Sequence, residues 1–252
     1  MVTLDELTRY LDEYLKAQEG RDYGPQGLQV EGKPEVRRIV TGVSACVALF
    51  EEAIRRRADA VIVHHGMFWD ADPRPLRGGV KRRIKLLLDH DISLLGYHLS
   101  LDRHPGVGNN ARLASLLELT NTVPFGMYKG EPLGRMGHTA RPTTPAAFMA
   151  MVHERINPAA RVHAFGPGEI RRVAVCSGGA QDMLREAAAC GAELFLTGEE
   201  SEWVYHVARE EGIHYVAAGH HATERLGPMA LGEHLAARFG LPVEFVDIPN
   251  PI

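Results

Sequence analysis

The sequence predicts an α/β protein made of two related domains, each a largely parallel sheet with flanking helices. Short runs of branched and aliphatic residues, many ended by glycine, alternate with stretches whose apolar residues recur at helical spacing. Such alternation implies parallel strands joined by helical crossovers. An internal echo points the same way: Glu35-Val36-Arg37-Arg38-Ile39-Val40 returns as Glu169-Ile170-Arg171-Arg172-Val173-Ala174. Each copy follows a helix opening on threonine, Thr3 to Leu15 and Thr144 to Ile156, and precedes a strand, helix, strand, helix, strand series. A single doubly wound domain with look-alike units is the competing reading. The matching flanks favour two domains, 1–124 and 125–252, meeting in the Pro124–Gly134 turn region.

In chain order, the first helix carries Thr3 as its cap, with Glu6 placed for a capping box. The first series is expected at 38–44, 46–57, 60–64, 79–89 and 92–97, the second at 172–177, 180–190, 193–197, 201–211 and 213–218. Helical segments rest on spacings such as Ile84, Leu87 and Leu88, or Met183, Leu184 and Ala187. Between the second strand and its helix, the loop Met67–Gly79 is rich in Pro, Asp and Gly, and long enough to fold over a site.

A chain of 252 residues, 45% hydrophobic, can bury one large core or two modest ones. Its net charge of −4 gives no broad attraction to nucleic acid or membrane. The three cysteines, Cys46, Cys176 and Cys190, form no CxxC pair, which argues against a disulfide framework or a thiolate zinc site. No signal-peptide pattern and no long apolar stretch occurs, so the expectation is a soluble, cytoplasmic protein.

Function is read from the strand ends. Ligands of open α/β sheets bind beyond the carboxyl ends of the strands. Here those ends read His64-His65-Gly66, Gly96-Tyr97-His98 followed by Asp102, Thr197-Gly198-Glu199-Glu200, and Gly219-His220-His221 followed by Glu224. A His-x3-carboxylate pair thus occurs in both halves, with spacing that shares one helix face. Imidazole and carboxylate suit Zn, Fe, Mn, Co or Ni. The candidates His64, His65, Asp102, His220 and Glu224 exceed the three protein ligands of a usual catalytic site, which favours two divalent ions per chain. Two adjacent histidines make sense if they diverge where a strand breaks into a loop. His98 and Glu199 are candidate proton carriers, with ligand or outer-shell roles also open to His98. Glu199 and Glu200 alternatively start a helix, and His221 is expected to be an exposed neighbour of His220. Asn109 or Asn110 is expected to cap the helix that follows.

At these motifs the sequence resembles the NIF-three-like family, whose members are often labelled type 2 homologues of GTP cyclohydrolase I. The stretches that carry the resemblance are DYGPQGLQVEG at 22–32, VIVHHGMFW at 61–69, GYHLSLDRHPGVGNN at 96–110, LGRMG at 133–137, FLTGEESEW at 195–203 and AAGHHATERLG at 217–227. The resemblance implies two α/β domains with a dinuclear metal site in the cleft between them, the same five residues as ligands, and a ring-shaped homohexamer. It also implies a metal-dependent hydrolase acting on a nucleotide or related purine-type small molecule. A non-enzymatic metal-binding, trafficking or interaction protein is the alternative. An open coordination position and a purine-sized cavity separate the first from the second. Many relatives carry tyrosine where this chain has His221, a change that spares the adjacent ligand position.

Overall fold

The computed structural model describes residues 1–252. The chain folds as two compact units, residues 1–101 with 227–249, and residues 102–226 with 250–252. The units therefore part well before residue 124, and the chain returns to the first unit near its end. Strand pairing gives the reason.

The first unit opens with β1 (Val2–Thr3) and α1 (Leu4–Tyr14). Thr3 caps the helix: Glu6 N–H donates to its Oγ1 at 3.1 Å. Then come β2 (Gly27–Val30), β3 (Glu35–Val36), β4 (Ile39–Ser44), α2 (Val47–Arg55), β5 (Ala60–His65), α3 (Gly78–Asp89) and β6 (Ser93–Gly96). Side chains alternate across a strand. Val40, Val61, Val63 and Leu94 accordingly point to the core face, where Leu49, Phe50 and Leu87 of the two helices cover them. The helix α4 (Leu99–Arg103) carries the chain over the boundary between the units.

In the second unit α5 (Asn109–Leu116) precedes a long hairpin, β7 (Leu119–Tyr128) and β8 (Glu131–Thr143). The expected turn at Pro124–Gly134 is mostly strand: Pro124 pairs with Arg135 and Phe125 with Gly134, while the turn is Lys129–Gly130. Pro124 fits because β7 lies at the sheet edge, where a missing N–H is tolerated. The unit continues through α6 (Pro145–Arg155), capped by Thr144, and β9 (Arg161–His163), β10 (Ile170–Val175), α7 (Leu184–Ala189), β11 (Leu194–Thr197), α8 (Val204–Glu211), β12 (His214–Ala217) and α9 (His220–Glu224). Its sheet runs β7-β8-β10-β11-β12-β9, with β10, β11 and β12 parallel and the outer strands antiparallel. Val173, Val175, Leu194, Leu196 and Val216 face one core, and Ala174, Phe195 and Tyr215 face the other. A parallel strand buried on both faces reads as an unbroken apolar run, and the sequence shows such runs here.

Finally α10 (Leu226–Phe239) and β13 (Val243–Phe245) rejoin the first unit. Its sheet is β13-β4-β5-β6-β2, parallel throughout except for β2. Parallel pairing of β13 with β4 (Val243 beside Ile39) is what draws the chain end back. No helix is long and apolar enough to cross a membrane.

Candidate metal centre

Two imidazoles end β5, and their neighbours hold them apart. His64 is fully buried, and its Nδ1 lies 3.1 Å from Tyr97 O at the end of β6. His65 turns to the other neighbouring strand, with Nδ1 3.1 Å from Ser44 Oγ at the end of β4. The rings still approach to 4.6 Å between centroids. His98, just before α4, places Nδ1 2.7 Å from Asp22 Oδ1. Burial works to raise the Asp22 carboxyl, but the His98 imidazole and the backbone N–H groups of Tyr23 and Leu99 hold it below the usual range. One nitrogen from each of His64, His65 and His98 lies within 4.8 Å of the others. In all three Nδ1 has a partner, the arrangement in which an outer group fixes the orientation of an imidazole.

The segment 22–29 braces this cluster. Gln26 Oε1 accepts from His98 N–H and from Ser100 Oγ, and Gln29 Oε1 accepts from Met67 N–H at 2.7 Å. Beneath it, the hydroxyl of buried Tyr97 donates to Asp12 Oδ1 at 2.8 Å, and burial pushes that phenol well above its ordinary value.

The second unit presents mostly carboxylates. Asp102 and Glu224 are 4% and 3% exposed, yet one carboxylate oxygen of each lies within 4.8 Å of the other. Two buried carboxyl groups at that range could share a metal ion. Asp102 Oδ1 accepts from Asn109 Nδ2 at 2.9 Å and Ser177 Oγ at 3.1 Å. Asn110, also fully buried, accepts from Ser177 N–H at 2.7 Å. The two asparagines therefore serve the carboxylate site, and the residue capping α5 is Gly108. Gly178 has φ +67°, and a Cβ there would collide with Glu224 Oε1; glycine is needed for that close approach.

His220 links the carboxylates. Its Nε2 lies 3.0 Å from Glu224 Oε2 and its Nδ1 2.6 Å from Glu199 Oε1. Burial disfavours the imidazolium, but the flanking Glu224 and Glu199 push the group up to about 9. Glu199 sits on the outer nitrogen, so its geometry is that of a residue orienting His220 rather than of a free proton carrier. Because α8 begins only at Val204, neither Glu199 nor Glu200 starts a helix; Glu200 pairs with Arg161 and with His163, the latter at 2.8 Å. His221 is buried, contrary to expectation, and its N–H donates to Ile252 O. The Cys176 thiol, pushed up by burial and by Asp102 and Glu224, stays protonated and offers no thiolate.

Imidazole and carboxylate donors such as these suit a divalent metal of intermediate hardness. Sequence reasoning gave no role to Asp22, Ser44 or Ser177. Asp22 does fall within a stretch that carries the family resemblance, which was the only signal for it.

A family model described as Duf34/NIF3 (NGG1p interacting factor 3) matches residues 2–251. Proteins of Allochromatium vinosum and Pseudomonas aeruginosa, both named GTP cyclohydrolase 1 type 2 homolog, are 48% and 46% identical to the chain, covering 100% and 99% of it and 98% and 99% of their own lengths. A solved structure described as protein ybgI, of unknown function, has a TM-score of 0.95 at 45% identity, with 100% of both chains covered. A solved Thermus thermophilus protein gives 0.92 at 36% identity, again with 100% of both chains covered.

Proposed function

The chain belongs to the Duf34/NIF3 family, and on that premise we propose that it is a dinuclear, divalent-metal-dependent hydrolase acting on a nucleotide or related purine-type small molecule. His64, His65, Asp102, His220 and Glu224 hold the two ions. The observation that carries the reading is the pair of buried carboxylates, Asp102 and Glu224, which a cation would neutralise. The name shared by the curated relatives supports the substrate class.

When bound, such ions supply Lewis acidity and bring water to nucleophilic strength near neutral pH. The chain's own residues do the rest. Ser44, Tyr97 O and Glu199 orient the three ligand imidazoles, and Asn109 and Ser177 orient Asp102. His98, held by Asp22 through Nδ1, keeps Nε2 for taking or giving a proton.

The test is elemental analysis of metal-reconstituted protein beside a turnover assay on GTP and other purine nucleotides. Two ions per chain with turnover is the expected result. At most one ion per chain would overturn the dinuclear reading, and two ions without turnover on any nucleotide would leave a metal-binding protein instead. The assembly proposed with it is a homohexameric ring, which sedimentation at micromolar concentration checks; a monomer there would remove it.

A further inference from the structure

One exposed stretch of the first unit carries positive charge that nothing in the chain neutralises. Arg74, Arg77, Lys81 and Arg82 lie on the loop after β5 and the start of α3, all exposed and none in an ion pair. From Pro73 to Leu88 the chain has no Asp or Glu. The other two cations of the stretch are engaged: Arg83 Nη1 donates to Ala45 O at 2.8 Å, and Lys85 pairs with Asp89. Four unneutralised cations on a chain of net charge −4 form a local field opposite to that of the whole molecule.

The same loop starts at the imidazole cluster, and its root is fixed. Met67 N–H donates to Gln29 Oε1 and Asp70 N–H to Tyr23 O, both at 2.7 Å. The Trp69 ring packs 5.1 Å from His98 and 6.4 Å from His65, centroid to centroid. Between these anchors Phe68 takes φ +67°, a left-handed conformation that is costly for a bulky side chain, and its residue remains 37% exposed. Gly24 permits it, since a Cβ there would stand 3.0 Å from Phe68 O. The fold thus maintains a strained, exposed aromatic residue at the root of this loop, next in sequence to the Trp69 that packs near His98, and followed in the chain by cations outside any ion pair.

We propose that Phe68 and the cations Arg74, Arg77, Lys81 and Arg82 form the recognition surface for a nucleoside phosphate, the aromatic ring taking the base and the cations the phosphate tail. The proposal rests on the hydrolase reading above and names the part of the substrate each residue holds. Guanidinium forks match phosphate oxygens, and a phenyl face stacks on any base. A small nucleotide is favoured over single-stranded RNA because a long polyanion would also meet the net negative remainder of the chain.

The experiment compares guanosine, GMP and GTP binding to the metal-loaded full-length chain and to two variants, the quadruple R74A/R77A/K81A/R82A and Phe68→Ser, with metal content measured in each. In the wild type, affinity should rise along the series from guanosine to GTP. The quadruple variant should lose about tenfold or more for GTP, the scale of charge-assisted contacts, and keep its guanosine affinity. Phe68→Ser should weaken all three ligands by a similar factor. Unchanged GTP affinity in the quadruple variant with full metal content overturns the proposal, as does a single-stranded RNA oligonucleotide that outcompetes GTP through the same residues. Phosphate-dependent binding that fails only in the quadruple variant, without turnover by the wild type, upholds the recognition surface and removes the hydrolase reading.

Discussion

The strand–helix repeats of the two units share one frame and end in different chemistry. Asp59 Oδ2 accepts from the backbone N–H groups of Arg37 and Arg38; Glu193 Oε2 accepts from those of Arg171 and Arg172. Register agrees as well, with Ile39 beside Ala60 in one sheet and Val173 beside Leu194 in the other. Counted from those pairs, His64 and His65 correspond to Gly198 and Glu199. Two histidine positions in one repeat are thus a glycine and a carboxylate in the other. The His-x3-carboxylate pairs also differ. Counting on from Gly96 beside Val63 and Ala217 beside Thr197, His98 corresponds to Gly219, so the second pair comes one residue later. One residue is about 100° of helical rotation, so equal spacing in the sequence gives unequal directions in space. His220 meets Glu224, whereas His98 meets Asp22. The two repeats share the frame and differ at the strand ends.

The largest expected effect falls on the metal ligands of both repeats. His65→Ala and Glu224→Ala should each lower the metal content below that of the wild type and abolish turnover, with circular dichroism unchanged because the cores lie elsewhere. Global unfolding of both variants would make the site structural and the two repeats equivalent in that respect.

The proton-carrier role separates the repeats next. His98→Ala should cut turnover by about 10²–10⁴-fold while both ions stay bound, the usual scale for a positioned acid–base group. Glu199→Gln should instead weaken metal binding through His220, by about 10–100-fold for an outer-shell partner. If His98→Ala loses metal, His98 is itself a ligand.

The shared frame is tested by Asp59→Ala and Glu193→Ala. Each removes the acceptor of two backbone N–H groups, so each should destabilise by about 1–3 kcal/mol in denaturant melts. Costs differing by several kcal/mol between the two would show that the frames are not equivalent.

The smallest effect is on pH dependence in the alkaline range, where His220 of the second repeat carries it. In metal-free protein the folded His220 value of about 9 stands above the unfolded imidazole value. Its stabilisation is therefore complete below about pH 6.5 and is lost as pH rises through about 9. Melting of metal-free wild type should drop over that window, and the drop should shrink in Glu199→Gln.

The sequence by itself determined the central elements of both units, because buried parallel strands must be apolar runs and their helices must show a 3.6-residue pattern. Chemistry also singled out His64, His65, Asp102, His220 and Glu224 as candidate ligands, and the structure brings His64 close to His65, and Glu224 close to Asp102 and His220. Only the tertiary structure decided the rest. Nothing local in Val243–Phe245 tells that it pairs with β4 across most of the chain's length, and the 119–143 hairpin hid behind a proline and glycines that elsewhere signal turns. The partners of the site were equally out of reach. Asp22 reaches His98, Ser44 reaches His65, and Ser177 and Asn109 reach Asp102. Hydrogen bonds between side chains far apart in sequence leave no periodicity to read, and they exist only once the chain has folded.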